Sequence, residues 1–75
     1  MSGLVKRSVT LAGHRTSIAL EAEFWAALAA CAAARGMALA ALVAEIDATR
    51  GAAPGSERGL ASALRVFVLQ NFSRR

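Results

Sequence analysis

The feature that most limits what this chain can fold into is a change of period inside one short stretch, "HRTSIALEAEFWAAL", residues 14–28. From Arg15 to Leu20, polar and apolar residues alternate. Thr16, Ile18 and Leu20 therefore share one face of a strand, and Arg15, Ser17 and Ala19 share the other. From Glu21 the apolar residues recur at helical spacing instead. A strand that runs straight into a helix carries a row of backbone N–H and C=O groups that must find partners. Upstream, "KRSVTL", residues 6–11, alternates only weakly, with Val9 and Leu11 against Ser8 and Thr10, before Ala12-Gly13 breaks it. Residues 15–20 thus read as one strand of an incomplete sheet, which must find its partner elsewhere.

The remaining pattern is helical. Glu21 and Glu23 sit where the positive end of a helix dipole favours acids, which places a helix over 21–35. Phe24, Leu28 and Cys31 form its apolar stripe, with Trp25, Ala29 and Ala32 beside them. Arg35-Gly36 ends it as a cation and a C-terminal glycine should. Leu39, Leu42, Val43 and Ile46 mark a second helix over 38–50, closed by Arg50-Gly51. "GAAPGSERG", residues 51–59, holds three glycines and the only proline, and reads as a loop. A third helix follows over 60–73, with Leu60, Leu64, Phe67 and Val68 on one face and Val66 and Leu69 on another. A helix apolar on two faces needs cover on both, and the second cover is expected from another subunit.

Bulk properties narrow the class. The chain has 75 residues, enough for one domain with a modest core. Small cores usually need a staple. A single cysteine, Cys31, excludes an internal disulfide, and one His with one Cys makes no metal-ligand set, so self-association is the expected reinforcement. Hydrophobic residues make up 56% of the chain, which suits a protein with a subunit interface. Net charge is +4, with Lys6, Arg7 and Arg15 near one end, Arg58, Arg65, Arg74 and Arg75 near the other, and all five acids between Glu21 and Glu57. Basic ends suit nucleic acid or an anionic surface. No stretch reads as a signal peptide. Residues 24–43 are long and apolar enough to raise the question of a membrane span, but Arg35-Gly36 falls near their centre, and no span is expected. No nucleophile–base pair, carboxylate dyad or phosphate-cradling loop is present, so no enzyme, cofactor or metal is expected.

Strand, helix, glycine, helix in this order, carried by "RTSIALEAEFWAALAACAAARGMALAALVAEI" (residues 15–46), resembles the ribbon-helix-helix family of bacterial DNA-binding proteins, of Arc- and methionine-repressor-like type. "LASALRVFVLQNF" and the "AGHRTS" entry further resemble a small bacterial subgroup with an extra C-terminal helix. The resemblance implies a mainly α fold with a short β-ribbon. It implies an intertwined homodimer, or a larger oligomer, whose ribbon is an intermolecular antiparallel pair of strands. In these terms residues 1–7 are a flexible basic arm and 8–75 a single domain with its ribbon at 14–20.

Function and site residues follow from the same resemblance. The chain is expected to be a cytoplasmic, sequence-preferring DNA-binding protein, a small transcriptional regulator or repressor that sets its ribbon in the major groove of double-stranded DNA. Base contacts fall to Arg15, Ser17 and Ala19. Arginine reads guanine and serine donates or accepts, whereas alanine can only touch a thymine methyl. Phosphate contacts fall to Lys6, Arg7 and His14, and to the start of the second helix at Ala38, Leu39 and Ala40. Ala38 stands where a Ser or Thr cap is usual in the family. The core and dimer interface are expected from Thr16, Ile18, Leu20, Phe24, Leu28, Leu39, Leu42, Val43, Ile46, Leu64 and Phe67. The alternative is an oligomerisation or protein-interaction module, antitoxin-like or structural, with little DNA readout. Attachment of the basic ends to an anionic membrane surface is a third reading. The strand at 8–11 is expected either to fold back as a hairpin or to join dimers together.

Overall fold

The computed structural model describes residues 3–52 and 59–73. Two strands, β1 (Leu4–Leu11) and β2 (His14–Glu21), form an antiparallel hairpin whose pairing runs from Leu4 opposite Glu21 to Leu11 opposite His14. Ala12 and Gly13 make the turn, with φ of 52° and 82°. Positive φ at both central positions marks the two-residue hairpin turn whose twist matches that of the strands it joins. Because paired residues share a face, Val5, Arg7, Val9 and Leu11 lie on the same side as Leu20, Ile18, Thr16 and His14. That side faces the helices, with Leu11, Ile18 and Leu20 buried.

Helix α1 (Ala22–Ala34) starts directly from β2, with Glu21 still extended at φ −60° and ψ 148°. Its end is built on glycine. The Gly36 N–H donates to the Ala33 carbonyl at 3.0 Å and the Met37 N–H to the Ala32 carbonyl at 2.9 Å, while Gly36 takes a φ of 68°. This is the paired closure that satisfies a helix's last carbonyls and needs a residue free of Cβ strain. Helices α2 (Leu39–Ala52) and α3 (Leu60–Ser73) complete the fold. The core lies where all five elements meet. Leu11 comes from β1; Ile18 and Leu20 from β2; Trp25, Leu28 and Ala32 from α1; Leu42, Val43 and Ile46 from α2; and Leu64 and Val68 from α3. Each fully buried leucine among them stabilises by about 1.5–3 kcal/mol through apolar burial.

Among the described residues no single helix is long and apolar enough to cross a membrane, because α1 and α2 bend by 97° at their junction. The apolar stretch at 24–43 is therefore two helices folded across each other.

Strand β2 has a partner in its own chain, on one edge, and that partner is β1. The upstream strand therefore folds back as a hairpin, one of the two arrangements expected for it. Three expectations need correction. Residues 4–7 are part of β1 and are not an arm, because Trp25 reaches them: its indole N–H donates to the Val5 carbonyl at 2.8 Å. The buried stripe of α1 is Trp25, Leu28 and Ala32, one residue round from the expected Phe24–Leu28–Cys31 line; Phe24 and Cys31 are half-buried at its margin. Helix α2 runs on through residues 51 and 52, where a loop was expected. The rest of that loop, 53–58, and the basic residues Arg58, Arg74 and Arg75 lie outside the described residues. Of the expected core, Ile18, Leu20, Leu28, Leu42, Val43, Ile46 and Leu64 are buried, while Thr16, Phe24, Leu39 and Phe67 are half-buried.

Candidate nucleic-acid interface

The face of the hairpin turned away from the helices is set by the same alternation that buries the other. It carries three cross-strand pairs: Lys6 with Ala19, Ser8 with Ser17, and Thr10 with Arg15. All but the half-buried Ala19 are exposed. Among the described residues the side chains of Lys6, Ser8, Thr10, Arg15 and Ser17 hold no hydrogen bond, ion pair or ring contact. The result is a flat polar strip with two cations and three hydroxyls.

The hairpin's own acid is Glu21, at its open end opposite Leu4. It is occupied. Arg65 of α3 donates to the Glu21 Oε1 through Nε at 3.0 Å, and its Nη2 also lies 3.0 Å from the same oxygen. The Glu21 carboxyl is held below its ordinary pKa, first by a hydrogen bond from its own backbone N–H and then by the Arg65 guanidinium. Arg65 also lies over the Phe24 ring, 5.7 Å from its centroid. Arg35 is similarly engaged, with Glu45 at 3.4 Å and the Phe67 ring centroid at 5.2 Å. Arg35 and Arg65 are thus each paired with an acid and an aromatic ring, and among the described residues Lys6 and Arg15 are the cations on the hairpin's outer face.

The expected phosphate contacts separate. Lys6 is on the outer face near the open end. His14 is exposed beside the turn, so a span of roughly 17 Å, five strand residues, divides the two. Arg7 is on the opposite side, its guanidinium 5.4 Å above the Trp25 ring. Arg7 and Leu39 instead border one shallow recess of about 210 Å³, floored by Trp25, Ala26 and Ala29. That recess brings Arg7 to the start of α2. The Ala38 carbonyl accepts the Leu42 N–H at 3.1 Å, so Ala38 occupies the capping position. Its methyl group offers no acceptor to the first-turn N–H groups of Leu39 and Ala40.

Ser8 and Thr10 were not singled out from the sequence as contact residues. The polar alternation of Lys6, Ser8 and Thr10 carried the signal, but their place beside Ala19, Ser17 and Arg15 depends on the register. Cys31 is a half-buried free thiol, and among the described residues no group of three or more His, Cys, Asp or Glu is placed to hold a metal ion.

The model of the ribbon-helix-helix domain matches residues 4–72. No curated protein and no solved structure gives a significant match. The family model spans both strands and all three helices. On that match, and on the order of strand, helix, glycine turn and helix, the chain belongs to the ribbon-helix-helix domain family.

Proposed function

We propose that this chain is a sequence-preferring DNA-binding protein without catalytic activity, acting as a small transcriptional regulator. The observation that carries the reading is the outer face of the hairpin: exposed Lys6, Ser8, Thr10, Arg15 and Ser17, with the hairpin's own acid, Glu21, paired with Arg65. DNA is a dense array of negative charge, and a strip with cations and hydroxyls but no free acid suits it. Family membership supports the same partner, and that partner places the protein where DNA is, the cytoplasm of a bacterial cell. In this reading β2 provides base contacts through Arg15 and Ser17, with Ala19 against a thymine methyl. The first turn of α2, at Ala38, Leu39 and Ala40, faces a phosphate with Arg7 across the recess.

A homodimer completes the site. In an antiparallel hairpin, alternate residues turn their backbone groups toward and away from the partner strand. A two-residue turn closes on a bonded pair, Leu11 with His14, so Arg15, Ser17 and Ala19 turn theirs away from β1. That free edge of β2 is where the same strand of a second copy pairs.

The test measures fluorescence anisotropy of labelled genomic duplexes at low and moderate salt, with light scattering on the same sample. The expected result is a dimer whose affinity falls steeply as salt rises. Arg15→Ala is expected to relax base preference by about 1–3 kcal/mol at the position it reads. A dimer that binds no duplex at low salt would favour the second reading, an oligomerisation or protein-interaction module. The feature behind that reading is α3, whose Leu69 and Phe72 are 61% and 46% exposed. Such a patch marks a protein contact when it is not covered by the fold itself.

A further inference from the structure

We propose that β1 is a phosphate-binding flange of the DNA site, and that Ser8 and Thr10 join Lys6 as its contact residues; this rests on the DNA-binding reading above. The argument is one of width. Pairing through the free edge of β2 gives a four-stranded sheet with the two β2 strands at its centre and a β1 strand on each side. Neighbouring strands lie about 4.8 Å apart, so the two outer strand axes stand about 14 Å apart before any side chain is counted. The major groove is about 12 Å wide. Two strands enter such a groove and four do not. The central pair reads bases, and each β1 rides on a lip of the groove, where the phosphates are.

The composition of β1 fits that position. Its outward residues are an ammonium, Lys6, and two hydroxyls, Ser8 and Thr10, all exposed and without partners among the described residues. These groups bind phosphate oxygens well and read bases poorly in comparison with arginine, asparagine or glutamine. The outward residues of β2 include the arginine that suits base reading. The division between the strands is therefore chemical as well as geometric. The Trp25 indole N–H to the Val5 carbonyl, with Arg7 over the Trp25 ring, ties the open end of β1 to α1 and holds the flange at a fixed height above the helices.

The test uses the full chain and a duplex that the wild type binds. Lys6→Ala, the double variant Ser8→Ala with Thr10→Ala, and Arg15→Ala are titrated against that duplex and against single-base variants of it, across a salt series. All four positions are exposed, and circular dichroism checks that each variant is folded. The β1 variants are expected to weaken binding by roughly tenfold on every duplex alike. Lys6→Ala is also expected to lower the slope of log affinity against log salt by about one. Arg15→Ala instead levels the difference between duplexes. A change of base preference in the Ser8/Thr10 variant would put β1 inside the groove and overturn the proposal. So would unchanged affinity in both β1 variants. A wild type that binds no duplex even at low salt removes the DNA reading itself, an outcome distinct from either.

Discussion

Ala12 is the one residue other than glycine with positive φ among the described residues, at 52°. A Cβ in the left-handed region costs about 1–2 kcal/mol, and Asn-Gly is a favoured pair for such a turn. Ala12→Asn is therefore expected to stabilise the fold by about 1 kcal/mol, seen as a rise in melting temperature of roughly 4–8 °C. Ala12→Val should lower it, since a branched side chain tolerates this conformation less well. No gain with asparagine would mean that the turn is held by its context and not by its own preference. At this scale the sequence was legible where a residue's own chemistry decides its place. Gly36 was expected to close α1, and its φ of 68° shows why only glycine does so without strain. Arg7 was not legible. It breaks the apolar alternation of β1 at the position between Val5 and Val9, which is why that strand read as weak and its first residues as an arm. What allows an arginine there is the Trp25 ring, and Trp25 is distant in sequence.

The bond between Arg65 and Glu21 joins α3 to the strand–helix junction. Its pH dependence has a definite sign. The folded carboxyl titrates below its ordinary value, so the charged pair contributes at and above that value. The contribution disappears as pH falls through the lowered pKa. The wild type is expected to lose more stability toward urea between pH 7 and pH 3 than Glu21→Gln does. Equal acid sensitivity in the two would show that Glu21 is not the group responsible. The pair is partly exposed, so the effect is a small one. The three helices were legible as elements to within a residue or two, because their apolar residues recur at helical spacing. The phase of α1 was not. Alanines surround Phe24, Trp25 and Cys31, and so uniform a helix offers little contrast from which to fix the buried face. The α3 helix was expected to be apolar on two sides, and Leu69 at 61% exposure agrees with that pattern.

For the whole molecule, the order of elements was readable, and the sequence left the upstream strand between a hairpin and a junction of dimers, of which the hairpin forms. Strand β2 announced itself, and its polar outer residues Arg15 and Ser17 stand where alternation put them. The nature of its partner depends on whether residues 4–11 can lie against the helices, and that is a matter of tertiary contact through Trp25 and α2. The hairpin has a kinetic consequence. A ladder joined by two residues of one chain closes in microseconds, whereas assembly of subunits takes milliseconds or longer and depends on encounter. Refolding from denaturant should then begin with a phase whose rate is the same at every protein concentration, followed by a bimolecular one. A first phase that quickens on concentrating the sample would mean that the strands wait for a second molecule before they order. In the former case each newly made chain shields one side of its own sheet without waiting for any other molecule.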